Sequence, residues 1–104
     1  MSYHVVVSPK FQKEFENLPK HLQERVRKLL KELETRLIGE PLKYDLKGFW
    51  SKHFEGNRYR LIYHKEETTI EVLAVHVGKR TNDFYTKFGE ELKRRMKESK
   101  LQFR

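Results

Sequence analysis

Four residues in the second half of the chain bring side chains suited to acid–base chemistry on a polyanion: His53, Arg60, Arg80 and Tyr85. An imidazole titrates near neutral pH, so His53 can hold or yield a proton under ordinary conditions. Arg60 and Arg80 offer fixed positive forks for phosphate oxygens. The Tyr85 ring can stack on a base, or its hydroxyl can take part in proton transfer. Each residue also has a plainer role open to it. His53 can pair with Glu55 on an exposed strand, and Arg60 can be a surface partner for Glu55 or Glu71. Arg80 sits at a strand end, where basic residues are common, and Tyr85 shares an apolar stripe with Phe88 and Leu92. The five histidines are scattered without metal-ligand spacing, and no Gly-rich phosphate loop is present. A site without metal or cofactor is expected. The chain has no cysteine, which excludes a disulfide framework, a thiol nucleophile and thiolate metal sites.

The elements that must position these groups follow from periodicity. Residues 3–7 are a short β-branched run and read as a strand. Ser8 and Pro9 then supply an N-cap and a first helical residue, followed by Phe11, Phe15 and Leu18 at helical spacing. Pro19 opens a second helix whose apolar stripe comprises Leu22, Val26, Leu29, Leu30, Leu33 and Leu37, with Gly39 and Pro41 ending it. Residues 40–48 read as a loop and residues 50–55 as a strand. Gly56-Asn57 is a tight-turn signal that sets Phe54 against Tyr59 and His53 against Arg60. Opposed residues project to the same side. One side therefore holds Phe54, Tyr59, Leu61 and Tyr63, with Lys52 at its end. The other holds Ser51, His53, Glu55, Arg58, Arg60 and His64 and is expected to face solvent or substrate.

Residues 70–77 are the most apolar strand and are expected at the centre of the sheet. Asn82 or Asp83 can cap a last helix carrying Phe84, Tyr85, Phe88, Leu92 and Met96. Residues 99–104 are expected to be a frayed basic tail. The order β-α-α-β-β-β-α describes an α+β fold, a small antiparallel-rich sheet with its helices on one face and the helical hairpin packed there.

At 104 residues the chain is expected to form one domain spanning 1–104. Apolar and charged residues each make up 37%, so the core is modest and the surface densely charged. The net charge of +8 favours a nucleic acid, an anionic membrane surface or an acidic protein as partner. Without a long apolar run or a signal-peptide layout, a cytoplasmic protein with no membrane partner is expected.

With the strand, the helical hairpin, the three-stranded meander and the strings Tyr59-Arg60-Leu61-Ile62-Tyr63 and Val77-Gly78-Lys79-Arg80 in place, the chain resembles the RelE/ParE toxin superfamily, most closely its RelE branch. The resemblance covers nearly the whole chain. It implies a type II toxin with a cognate antitoxin, acting as a ribosome-dependent mRNA endonuclease on message in the ribosomal A site. The ParE branch, which poisons DNA gyrase, and an inactive RNA-binding relative are the alternatives. Arg60 and Arg80 match the arginines of the RelE-type catalytic set, and Tyr85 resembles its late tyrosine, one residue short in spacing. Where RelE-like enzymes can carry two lysines, this chain has Ser51 and His53, so His53 is the expected general base. Lys47, Lys52, Arg58, Lys79 and Lys87 are the candidate RNA contacts, with ribosomal RNA a further partner. Such cleavage needs a base for the 2′-hydroxyl, charge to stabilise the phosphorane and an acid for the leaving 5′-oxygen. The expected product is a 2′,3′-cyclic phosphate or its opened 3′-phosphate.

Overall fold

The computed structural model describes residues 2–81 and 84–103. Strand β1 (His4–Val7) leads into helices α1 (Pro9–Glu16) and α2 (Lys20–Leu33). After them come the two-residue strand β2 (Glu40–Pro41), a 3-10 turn (Tyr44–Leu46), β3 (Phe49–Phe54), β4 (Tyr59–Lys65) and β5 (Glu71–Lys79). Helix α3 (Phe84–Arg95) and a second two-residue strand, β6 (Leu101–Gln102), complete the chain. The sheet order is β2-β3-β4-β5-β1-β6, so the meander β3-β4-β5 joins β1 through a parallel pairing with β5. The expected α+β fold is the one observed, with β5 in the interior of the sheet.

Local signals placed the first helix accurately. The Phe11 N–H donates to Ser8 Oγ at 3.1 Å, as an N-cap requires, and Pro9 follows where its missing N–H costs nothing. Pro19 is extended (φ −55°, ψ 150°) and stands just before α2 rather than inside it. The second helix also stops at Leu33, short of the expected Leu37. A tertiary tie explains this. The Ile38 N–H donates to the Tyr63 hydroxyl at 2.8 Å, and that hydroxyl donates back to the Ile38 carbonyl, drawing the chain off the helix and tying it to β4. Burial raises the Tyr63 hydroxyl pKa, although its bond to Ile38 pulls the other way.

Two apolar layers enclose the sheet. Phe11, Phe15, Leu22, Val26, Leu29 and Leu33 of the helical hairpin pack on Phe54, Leu61, Tyr63, Val72 and Val77. On the opposite face Phe84 and Leu92 of α3 pack with Leu46, Phe49, Ile62, Leu73 and Val75. The helices are therefore not confined to one face. The hairpin side expected to be open to solvent is roofed by α3, and Ser51, Arg60 and His64 beneath it are buried. The proposed caps Asn82 and Asp83 lie outside the described residues.

A bulge makes this second layer possible. Ile62 pairs with His76 but Tyr63 pairs with Ala74, leaving Val75 as an extra residue in β5. Val75 joins the core under α3, and the His76 ring lies 5.0 Å from that of Phe84 and 5.1 Å from that of Phe88. Beyond Val7, where β1 ends, the edge of β5 is capped by side chains. The Val77 N–H donates to Glu14 Oε1 at 3.3 Å, and Arg95 Nη1 donates to the Val75 carbonyl at 2.8 Å. The expected frayed tail is instead ordered over residues 101–103. Leu101 and Gln102 pair with Val7 and Val6, and the Phe103 ring packs edge-on against Phe15 at 4.9 Å. An unpaired strand edge beside an apolar groove gives the tail both backbone and side-chain partners.

Candidate active site

The tight turn fixes the first half of the site. Gly56 and Asn57 both have positive φ (62° and 66°), and the resulting register sets His53 opposite Arg60 and Phe54 opposite Tyr59, as expected. On the other flank of β4, Arg60 faces Gly78 of β5. Just past β5, the Arg80 N–H donates to the Arg58 carbonyl at 2.8 Å, which holds Arg80 over the hairpin end. Tyr85 arrives from the first turn of α3.

Strand β2 brings a residue that sequence reasoning missed. Glu40 pairs with Ser51, so both project to the side that carries His53 and Arg60. Gly39 makes that approach possible, because its φ is 84° and a Cβ there would lie 2.3 Å from the Ser51 carbonyl oxygen. Gly39-Glu40-Pro41 read as loop punctuation, since a two-residue edge strand is too short to show a hydrophobic period. Its signal was the Pro, which belongs on a sheet edge.

His53, Arg60, Arg80, Tyr85, Glu40 and Ser51 all line one cleft of about 490 Å³, with Lys52 at its border. The structure therefore brings the four expected catalytic residues together. Of the expected RNA contacts, only Lys52 borders the cleft. Lys47 lines a separate recess with Trp50 and Lys65, Arg58 lies in the hairpin turn, and Lys79 and Lys87 are exposed on β5 and α3.

Arg60 is the most constrained member. It is 5% exposed, and its guanidinium carbon lies 4.5 Å from the Phe84 ring centroid and 4.9 Å from that of Tyr85. Its Nε and Nη1 nevertheless have no hydrogen-bond partner among the described residues, and neither does the buried Ser51 Oγ. Burying a cation with unmade hydrogen bonds costs stability, so such groups call for a partner beyond these side chains, water or an anion. Burial lowers the Arg60 pKa, which Tyr85 opposes and Arg80 reinforces. His53 is also shifted down, first by desolvation and then by the charges of Arg60 and Arg80. Glu40 pulls it back up, and Lys52 adds to the depression. A depressed imidazole is neutral at pH 7, the state a general base needs.

Residues 5–84 match the family model described as the ParE toxin of type II toxin–antitoxin systems, so the chain belongs to that family, within the RelE/ParE superfamily. Solved structures agree on the fold. A RelE mutant from Escherichia coli in the free state is 21% identical, with TM-score 0.72 over 92% of this chain and 99% of that one. The RelBE2 toxin–antitoxin complex of Mycobacterium tuberculosis gives 23% identity and TM-score 0.66, over 77% of this chain and 93% of that one. The intact E. coli RelBE complex gives 24% and 0.59, over 78% and 100%. Among curated protein sequences none matches. Among the described residues, no helix is long and apolar enough to cross a membrane.

Proposed function

We propose that this toxin cleaves RNA by attack of a 2′-hydroxyl on the adjacent phosphate, with messenger RNA on the ribosome as its substrate. The observation that carries the reading is the buried Arg60 guanidinium, two of whose nitrogens have no partner among the described residues, in the same cleft as a depressed histidine. His53 takes the 2′-hydroxyl proton as the oxygen bonds to phosphorus. Arg60 and Arg80 share the growing charge on the phosphorane oxygens. The bond to the 5′-oxygen then breaks, with the Tyr85 hydroxyl supplying its proton. The products are a 2′,3′-cyclic phosphate and a free 5′-hydroxyl. Glu40, the one carboxylate among the described cleft residues, offsets the depression of His53 by the arginines. Ribosome-held RNA would add the in-line geometry that few strong acids or bases supply here.

A cognate antitoxin completes the reading, in keeping with the RelB complexes of the solved relatives. A chain of net charge +8 suits a partner that is acidic where it wraps the toxin. Primer extension on a translated message, comparing wild type with Arg80→Ala and His53→Ala, tests the reaction. Cuts confined to translating message and lost in Arg80→Ala support it, and the His53 variant reports on the base. The family match to ParE supports a second reading, inhibition of DNA gyrase. Growth arrest with message intact would favour that reading and end the first.

A further inference from the structure

Tyr44, in the turn between β2 and β3, is 91% exposed and holds a left-handed backbone with φ 56°. A side chain bearing a Cβ adopts that conformation at a cost, and such strain concentrates where function demands it. The turn that imposes it is firmly held. The Leu42 N–H donates to the Phe49 carbonyl at 2.8 Å, and the Lys47 N–H donates to the Tyr44 carbonyl at 3.0 Å. The Leu46 side chain is buried in the layer under α3. A rigid loop thus holds an aromatic ring out in solvent.

That ring borders a recess of about 430 Å³ between the loop and α3, with Lys43 on one wall and Tyr85, Gly89 and Lys93 on the other. Tyr85 also lines the cleft that holds His53, Arg60 and Arg80, so it stands between recess and cleft. Lys43 has no carboxylate partner among the described residues, whereas Lys93 Nζ lies 3.7 Å from Glu90, and Asp45 also borders the recess. Apart from an edge of Leu46, only the two tyrosines present sizeable apolar surface there, too little to seat an amphipathic helix. An exposed ring flanked by cations is instead the arrangement that holds single-stranded nucleic acid, the base on the ring and the backbone on the cations.

We propose that this recess is a nucleotide subsite flanking the cleaved bond, in which Tyr44 stacks on a base of single-stranded RNA and Lys43 meets its phosphate. The proposal rests on the RNA-cleavage reading, and the experiment separates the two. Cleavage of ribosome-bound message by the full chain is measured as kcat/KM for wild type, Tyr44→Ala, Tyr44→Phe and Tyr44→Trp. Binding of a short RNA made uncleavable by 2′-O-methylation is measured alongside by fluorescence anisotropy. Loss of one base stack lowers kcat/KM about tenfold in Tyr44→Ala and flattens the preference for the flanking base. The Phe and Trp variants keep the wild-type value. Tyr44→Gly shows the same loss while melting a few degrees higher, because glycine takes this φ freely. Cleavage unchanged in Tyr44→Ala overturns the subsite and leaves the reaction standing. If the wild type does not cleave, the cleavage reading falls and the RNA decides alone: absent or equal binding by wild type and Tyr44→Ala overturns the subsite too. A Tyr44→Ala that cleaves normally but fails to bind the antitoxin assigns the surface to protein and likewise overturns it.

Discussion

His53 is held between opposing charges, and the balance gives its protonation a definite direction. Desolvation and the guanidinium groups of Arg60 and Arg80 lower its pKa from the ordinary 6.5, while Glu40 raises it. A base must be neutral, so with His53 as the proposed base the cleavage should be lost as pH falls through this pKa, and the depression extends the active range towards acid. Arg80→Ala should therefore raise the His53 pKa, and Glu40→Gln should lower it further. Titration of the His53 ring proton resonances by NMR reads both without needing an active enzyme. Shifts in the same direction, or none, would mean that His53 does not sense the cleft charges. Sequence alone placed His53 against Arg60 because the Gly56-Asn57 turn dictates the register. It did not reveal Glu40, whose place depends on a close backbone approach at Gly39, or the burial of Arg60, which depends on where α3 lies.

Helix α3 both roofs the core and supplies Tyr85, and a polar latch holds it down. Glu14 accepts from Arg95 Nη1 at 2.9 Å and from the Val77 N–H, and its carboxylate lies 3.0 Å from His76 Nδ1. A carboxylate only accepts, so Nδ1 carries the hydrogen. Glu91, which also bonds Arg95 at 3.0 Å, joins the latch to Lys10 of α1. Burial works to raise the Glu14 pKa, but the hydrogen bonds and charges of His76 and Arg95 outweigh it and the net shift is down from 4.5. Bonds from Lys10 and then Arg95 take Glu91 to about 2.

A carboxylate depressed on folding stabilises the protein above its unfolded pKa, and that stability is lost as pH falls through the folded value. Thermal melts should therefore drop below about pH 4.5. Glu14→Gln should cost about 1–3 kcal/mol at pH 7 by leaving Arg95 and His76 poorly satisfied. It should also flatten the acid drop, leaving the part due to Glu91. An unchanged acid profile would place the latch elsewhere. None of this was legible from periodicity. The helices and long strands show their stripes, but the face α3 covers is decided by a bulge at Val75 and a partly buried ion pair between residues 81 positions apart. Neither leaves a repeating pattern. The same holds for β2 and β6, which are strands only because a neighbour's edge is free.

Across the whole molecule the charge is unevenly used. Some basic residues are committed to the fold: Arg95 is in the latch, and Lys10 and Arg94 bond to Glu91. Lys43, Lys47, Arg58, Lys79, Arg80 and Lys87 are exposed and have no carboxylate partner among the described residues, so their field is available to a polyanion. Binding that neutralises phosphates releases counterions, so affinity for single-stranded RNA should fall with salt at a logarithmic slope of about −0.7 for each phosphate contacted. The two kinds of cation then separate cleanly. Replacing Lys47 or Lys87 by Ala should make the slope shallower by about 0.7 while leaving the bond-breaking rate on saturating substrate unchanged. On the cleavage proposed above, Arg80→Ala should change both, because Arg80 would act on the phosphate that reacts. Equilibrium binding of an uncleavable RNA across a salt series, set beside single-turnover cleavage, measures the two quantities independently. A slope unaffected by every one of these substitutions would mean that the exposed charge is not directed at RNA, leaving an acidic protein as the partner it was built to meet.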